Sequence, residues 1–145
     1  MLSGEYRHTV DEKGRVIIPS KIRNEMGSNM VITRGLDGCL FGYNEIEWNK
    51  IMEKLSTLPF TKSDARNFTR FLTSGAQTVE FDKQGRINIP NYLMNYAEIS
   101  RDVVIVGVIN RIEIWEKDKW DKLIEDNSES LSSIAENLFD SNLNI

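Results

Sequence analysis

The sequence has 145 residues, of which 40% are hydrophobic, so it is long and apolar enough for one compact domain with a buried core. With one cysteine, Cys39, and one histidine, His8, it excludes an internal disulfide framework and a cysteine-rich zinc site, and it argues against a Cys–His catalytic pair. The net charge of −4 comes from residues 123–145, which hold five acidic and no basic side chains, whereas the rest has 18 basic and 17 acidic residues.

The start of the chain predicts a hairpin followed by a short helix. Residues 4–10 and 16–18 are expected to form the two strands of the hairpin, because the second of them is rich in β-branched residues. The helix is predicted at 19–26, since it opens with a proline, whose missing N–H costs nothing in the first turn, and Gly27 is a typical stop.

The next segment predicts a second hairpin and a longer helix. Strands at 30–33 and 39–41 flank Asp37-Gly38, a pair that is typical of two-residue hairpin turns. Asn44 is expected to cap a helix that ends before Pro59. The apolar stripe of this helix comprises Trp48, Ile51, Met52 and Leu55, and we interpret the tryptophans of the chain as core residues.

Two further helices with apolar faces are expected. One is predicted at 61–75, opened by capping residues at 61–64, and the side chains expected to face inward are Phe68, Phe71 and Leu72. The other starts near Ser128 in the acidic tail, and its apolar face comprises Leu131, Ile134, Ala135 and Leu138. Apolar helix faces in excess of what one domain can cover favour self-association.

A nine-residue frame, D-x-x-G-R-[VI]-x-I-P, occurs twice. It spans Asp11–Pro19 and returns at Asp82–Pro90, 71 residues later. The elements after it also correspond, because a short helix at 91–97 and strands at 103–106 and 112–115 follow the second copy in the same order. The chain therefore contains two related halves.

The residue types of the frame predict a tight turn that displays an arginine. The aspartate accepts hydrogen bonds from nearby backbone amides, and the glycine supplies the positive φ that closes such a turn. The motif residues are Asp11, Gly14 and Arg15 in the first copy and Asp82, Gly85 and Arg86 in the second. The two aspartates are interpreted as structural turn residues and not as metal ligands or catalytic acids.

Each half has about 45 residues and is too small to bury a stable core alone. We therefore expect an α+β fold, mainly β with short helices, in which the halves pack into one pseudo-two-fold barrel with peripheral helices. The expected units are repeat 1 at 5–47, a helical connector at 48–75, repeat 2 at 76–119 and an acidic helical tail at 120–145.

The chain resembles the MraZ family, whose members have two tandem AbrB/SpoVT-like repeats. The segments that carry the resemblance are Gly4–Tyr6, Asp11–Arg15, Ile18-Pro19, Asp82–Arg86, Ile89-Pro90 and Ile112–Trp115. The resemblance implies a double-ψ or swapped-hairpin type barrel and ring-shaped homo-oligomers, commonly octamers. It also implies a nucleoid-associated repressor that binds direct repeats of double-stranded DNA upstream of its own operon in the division and cell-wall gene cluster.

The residues predicted to bind DNA are Arg15, Arg86, Lys13, Lys83, Lys21 and Arg23. Arginine suits both guanine and phosphate, because its planar fork donates two parallel hydrogen bonds. A second interpretation is that each motif arginine pairs with the aspartate four residues earlier and only staples the turn. Both can hold if the aspartate orients the arginine. After the second motif, Tyr92 and Met94 occupy the positions of Lys21 and Arg23, which puts equal DNA engagement by the two halves in question.

Other classes of function have less support in the sequence. It has no supported nucleophile–histidine pair and no long glycine-rich phosphate loop, so an enzyme is not expected, and neither is a cofactor or a metal. The alternative is an antitoxin-like or scaffold ring whose main partner is another protein. The N-terminus lacks a signal-peptide core and no run approaches the ~20 apolar residues of a membrane span, so we expect a cytoplasmic protein without a membrane partner.

Overall fold

A computed structural model describes residues 1–139, so the last part of the acidic tail, including Asp140, lies outside the described residues. The described chain is α+β and has eight strands and six helices. The strands are β1 (Glu5–Thr9), β2 (Arg15–Ile17), β3 (Asn29–Arg34), β4 (Leu40–Tyr43), β5 (Gln77–Glu80), β6 (Arg86–Asn88), β7 (Asp102–Val108) and β8 (Arg111–Glu116). The helices are α1 (Ser20–Met26), α2 (Glu45–Ser56), α3 (Ser63–Ser74), α4 (Asn91–Tyr96), α5 (Lys117–Ser128) and α6 (Leu131–Phe139).

The main sheet is built by exchange of strands between the two halves. Its six strands are antiparallel and have the order β1-β7-β8-β4-β3-β5. β1 of the first half pairs with β7 of the second, with Tyr6 opposite Ile105, and β5 of the second pairs with β3 of the first, with Val79 opposite Met30. This order reads the same when the halves are interchanged, which is a pseudo-two-fold arrangement.

The remaining strands, β2 and β6, pair with each other in an antiparallel two-stranded ribbon. Val16 lies opposite Ile87, and both side chains are buried against the core. The hairpin predicted for residues 4–10 and 16–18 is therefore wrong in its pairing, because each of its strands pairs with a strand of the other half. The α+β class is confirmed, and the closure of sheet and ribbon into one barrel stays a prediction.

The core lies between the sheet, the ribbon and the two short helices α1 and α4. Its largest fully buried side chains are aliphatic and come from both halves: Ile18, Ile22, Met30, Ile32, Leu40, Ile87, Ile89, Leu93, Ile105, Ile112 and Ile114. Burying one such side chain contributes about 1.5–3 kcal/mol to folding. Since neither half supplies this cluster alone, the two halves form one folding unit.

A second, aromatic cluster lies under α2 and α5. Its buried members are Cys39, Phe41, Tyr43 and Trp115, and the helix residues that pack against it are Trp48, Ile51, Trp120 and Leu123. All three tryptophans thus pack in the hydrophobic interior or at its edge, as predicted. Burial raises the pKa of the Cys39 thiol above its ordinary value, so this thiol stays protonated.

Local signals in the sequence place the turns and caps correctly. Asp37 and Gly38 both have positive φ, 63° and 81°, as the tight turn between β3 and β4 requires. Asn44 caps α2, because its Oδ1 accepts a hydrogen bond of 2.8 Å from the backbone N of Glu47. Gly27 is the C-cap of α1, which confirms the end of that helix.

The helix between the halves, α3, differs from its prediction in two respects. It starts after Lys62, whose side chain makes no capping hydrogen bond, so the capping predicted at 61–64 is wrong. Leu72 is buried, and its carbonyl accepts a hydrogen bond of 2.7 Å from Thr33 Oγ1 of β3. Phe68 was expected to face inward, but it is 38% exposed because α3 contacts the sheet mainly through its C-terminal half.

Several large apolar side chains remain at the surface near α3 and on α6. Phe60, in the loop between α2 and α3, is 81% exposed, and Leu58 beside it is 39% exposed. On α6 the exposed members of the predicted apolar face are Leu131, Ile134 and Leu138. In the part of the chain that the structure describes, none of the helices has the length and apolarity needed to cross a membrane.

Candidate nucleic-acid interface

The first motif folds into a tight turn organised by Asp11. Its Oδ1 accepts hydrogen bonds of 2.9 Å from the backbone N of Lys13 and of Arg15, and its backbone O accepts one of 3.0 Å from Gly14 N. Gly14 has a φ of +79°, in the left-handed region that glycine adopts without strain. Asp11 Oδ2 accepts a further hydrogen bond of 2.7 Å from Arg15 Nε, so the carboxylate also orients the arginine.

The second motif has the same geometry. Asp82 Oδ1 accepts hydrogen bonds of 2.9 Å from the backbone N of Gln84 and of Arg86, and Oδ2 accepts one of 2.8 Å from Arg86 Nε. Gly85 has a φ of +77°. In both turns the pKa of the aspartate, Asp82 or Asp11, is lowered, chiefly because the backbone amide of the motif arginine donates a hydrogen bond to its charged form.

The ribbon brings the two motif arginines to one face. Arg15 lies opposite Asn88 in the register, and Val16 opposite Ile87, so Arg86 is two positions away from Arg15's partner. Since successive side chains of a strand point to opposite faces and Val16 and Ile87 are buried, the arginines lie on the outer face. They are diagonal neighbours on adjacent strands, at a separation of about 7–8 Å.

The aspartates leave the ends of both guanidinium groups available. Arg15 and Arg86 each use Nε in the ion pair, and within residues 1–139 their Nη1 and Nη2 atoms have no hydrogen-bond partner. The side chains are 34% and 25% exposed. Each motif arginine is therefore paired with the aspartate four residues earlier, as the second interpretation predicted. This ion pair does not use Nη1 and Nη2, the two nitrogens that can donate to a ligand.

The predicted lysines surround the ribbon. Lys13 and Lys83 are exposed in the two turns, and Lys21 is exposed on α1, the helix that follows β2. No salt bridge within the described residues includes any of the three. Their charges are thus free to attract an anionic ligand.

Arg23 differs from the other predicted residues, because its guanidinium faces the protein. Its Nη1 donates a hydrogen bond to the carbonyl of Ile18, and the group lies in the space that a side chain at Gly85 would occupy. Arg23 of the first half thus supports the turn of the second, whereas Met94, at its position in the other half, packs against the core. A DNA contact by Arg23 stays a prediction, and its observed contacts are structural.

Two residues of the ribbon's outer face were not singled out in the sequence. Ile17 lies opposite Arg86, and Asn88 lies opposite Arg15. The available signal was the alternation Arg-x-Ile and Arg-x-Asn, which puts the third residue on the same face as the motif arginine.

Comparison with known proteins identifies the family. The family model described as "MraZ protein, putative antitoxin-like" matches twice, at residues 1–71 and 72–142. The chain is also 52% identical over 143 residues to the "Transcriptional regulator MraZ" of Ligilactobacillus salivarius (strain UCC118), which covers 99% of this chain and 100% of the relative. The repeated match agrees with the two motif turns that the ribbon joins. The chain belongs to the MraZ family.

Proposed function

We propose that this protein is a sequence-specific DNA-binding transcriptional regulator that inserts the β2–β6 ribbon into the major groove. The observation that carries the proposal is the pair of aspartate-oriented arginines, Arg15 and Arg86, on the single exposed face of that ribbon. The major groove admits a two-stranded β-ribbon, and an arginine fork donates to guanine O6 and N7. An aspartate on Nε fixes the fork while its two outer nitrogens remain free to bind.

The three exposed lysines, Lys13, Lys83 and Lys21, are assigned to phosphates at the edges of the groove. Each phosphate contact releases counterions, so three contacts predict that log K falls with log salt at a slope of about −3. With so few contacts and a net charge of −4, one copy should bind weakly.

Self-association into a ring is the second part of the proposal. The loop and helix around Leu58, Phe60 and Phe68 leave apolar surface uncovered, and so does α6. Residues 50–70 have a net charge of +3, and residues 123–139 have a net charge of −4. We therefore place α6 of one copy on the α2–α3 surface of the next. Such a head-to-tail contact generates a ring if the rotation closes.

A ring would present many ribbons at fixed spacing, which raises apparent affinity by about 10²–10⁴ over a single module. This favours several DNA boxes at a regular interval over one box. Following the family resemblance, we assign the protein to direct repeats upstream of its own operon in the division and cell-wall cluster. There it acts as a repressor in the cytoplasm, associated with the nucleoid, and the ring is assigned as an octamer.

The test is a binding titration on DNA from directly upstream of its own gene. Arg15→Ala and Arg86→Ala should each weaken binding about 5- to 150-fold, the range for losing one bidentate base contact. Arg7→Ala is the matched control, because Arg7 is an exposed arginine on β1, outside the ribbon, in ion pairs with Glu5 and Asp121. Light scattering should show the same assembly mass for all variants. Unchanged affinity in the Arg15/Arg86 double variant would refute the proposal.

A second candidate function is an antitoxin-like partner protein, which the description of the matching family model favours. Copurification of a small toxin with the chain, together with the absence of salt-sensitive DNA binding, would support this alternative. Both the DNA-binding regulator and the antitoxin-like protein would act by binding a partner, and no enzymatic activity is proposed.

A further inference from the structure

The outer face of the ribbon carries two side chains besides the motif arginines. Ile17 lies opposite Arg86 and Asn88 lies opposite Arg15, so the four residues form a compact square on one surface. Ile17 is 45% exposed, and Asn88 is also exposed. Within residues 1–139, the amide of Asn88 has no hydrogen-bond partner.

Neither side chain is buried in the core. The ribbon is anchored by Val16 and Ile87, each 1% exposed, which point the other way into the core. An isoleucine half in water on a polar face contributes little to folding, because the apolar surface it leaves exposed is not removed from solvent. Both side chains are thus available to an external ligand.

We propose that Ile17 and Asn88 are specificity-determining residues that read bases next to those bound by the arginines. This inference rests on the proposed function and assigns base chemistry to the same surface. An asparagine amide donates to adenine N7 and accepts from adenine N6, which makes a bidentate pair. An apolar side chain contacts the 5-methyl group of thymine. The ribbon therefore takes duplex DNA in which guanine is accompanied by adenine near Arg15 and by thymine near Arg86.

The dimensions of the face limit the element that it reads. Opposite side chains of an antiparallel pair are about 4.5–5.5 Å apart at Cβ, and diagonal ones about 7–8 Å. Successive nucleotides of one strand rise about 3.4 Å along the helix axis. The four side chains therefore span about two base steps, and one ribbon reads a core of about three base pairs.

The two residues also make the ribbon directional. The repeat relates Arg15 to Arg86, 71 residues later, and by the same offset it relates Ile17 to Asn88. The arginines alone would present nearly the same surface after a half turn about the pseudo-two-fold axis. Because Ile17 and Asn88 differ in chemistry, the rotated ribbon faces the wrong bases. The recognised element is therefore expected to be non-palindromic.

The experiment compares the full-length wild type with Asn88→Ala, Ile17→Ala and the control Thr78→Ala, an exposed substitution on β5. Selection from random duplexes first gives the preferred element of the wild type. Competition titrations then use three duplexes: the preferred one, one with 7-deazaadenine for the adenine, and one with deoxyuridine for the thymine, which lacks only the methyl group. Circular dichroism and light scattering verify that each variant folds and assembles like the wild type.

For the wild type, the deazaadenine duplex should bind about 5- to 150-fold more weakly than the preferred one, and the uracil duplex should also bind measurably more weakly. Asn88→Ala should abolish the penalty for deazaadenine alone, and Ile17→Ala the penalty for uracil alone. Thr78→Ala should retain both penalties. The inference is overturned if both ribbon variants keep the wild-type preferences while Arg15→Ala still loses affinity. If Arg15→Ala and Arg86→Ala also have no effect, the proposed function itself fails.

Discussion

Replacing Gly14 by alanine tests whether the motif turn and the ribbon depend on the absence of a side chain. Gly14 has a φ of +79°, which costs roughly 1–2 kcal/mol for a residue with a Cβ. The added Cβ would also lie 2.9 Å from the carbonyl O of Ile89, a backbone atom that cannot swing away. Relieving that approach moves the two strands apart and weakens the hydrogen bond of 2.8 Å from Ile89 N to Gly14 O, worth about 0.5–1.5 kcal/mol. Gly14→Ala should thus lower the free energy of unfolding by about 2–3 kcal/mol.

Gly38→Ala is the matched control. Its φ of +81° imposes the same backbone strain, but its added Cβ would meet only Lys119 Nζ, the end of a flexible side chain, at 3.2 Å. We expect a loss of about 1–2 kcal/mol there. Urea unfolding followed by tryptophan fluorescence, at one protein concentration because assembly stabilises the folded state, measures both variants. DNA affinity should fall only in Gly14→Ala. Equal losses of stability in the two variants would refute the steric reasoning.

Three further predictions concern the motif turns and the core. Arg23→Ala should relieve part of the destabilisation caused by Gly85→Ala, because a Cβ at Gly85 would collide with the guanidinium of Arg23. A double-mutant cycle measured by urea unfolding should give a coupling energy of about 0.5–3 kcal/mol. Additive effects of the two substitutions would contradict the contact between Arg23 and Gly85. The pKa values of Asp11 and Asp82 are lowered on folding, so the stability that these carboxylates contribute is fully present above the unfolded pKa near 4 and is lost as the pH falls through the folded pKa values. Replacing both aspartates by asparagine should therefore flatten the pH dependence of the urea midpoint below pH 4. A variant profile parallel to that of the wild type would argue against this contribution. Ile87→Ala should cost about 2–5 kcal/mol in the same assay, because the side chain is 1% exposed, and a loss under 1 kcal/mol would show that the ribbon is not anchored there.

Features fixed by neighbouring residues were predictable from the sequence. The positive φ values of Gly14 and Gly85 follow from the frame itself, and so do the aspartate–arginine pairs four residues apart. The Asn44 cap and the turn at Asp37-Gly38 are equally local. Such signals act over two to four residues and do not depend on how the halves are arranged.

Strand partners were not predictable in the same way. β1 and β5 occupy the same place in their repeats, so the hydrophobic pattern of β1 fits the partner in either half equally well. The sequence favoured β2 as the partner of β1, because β2 is the nearer strand in the chain. In the structure, β1 pairs with β7 instead. Only the joint packing of both halves decides between these pairings.

The role of Arg23 was missed for a related reason. Its position on α1 led to the prediction that it binds DNA, but its guanidinium reaches Ile18 and Gly85, and the latter is 62 positions away in the chain. Phe68 shows the opposite error, because its helical spacing suggested burial, whereas within residues 1–139 it remains 38% exposed. Both errors concern contacts that residue spacing within one element does not encode.

The exchange of β1 and β5 is the arrangement that a strand-swapped homodimer would have if its two copies were joined in one polypeptide. In one polypeptide, a residue of one half can be replaced while its counterpart in the other half stays the same, which is impossible in a homodimer. Lysine at position 21 has tyrosine as its counterpart at 92, and isoleucine at 17 has asparagine at 88. A non-covalent dimer of identical chains has the same residue at both symmetry-related positions, so its binding surface is two-fold symmetric and favours a two-fold symmetric ligand. Joining the copies frees the proposed recognition surface from that symmetry, while the exchanged strands hold both halves in one folding unit.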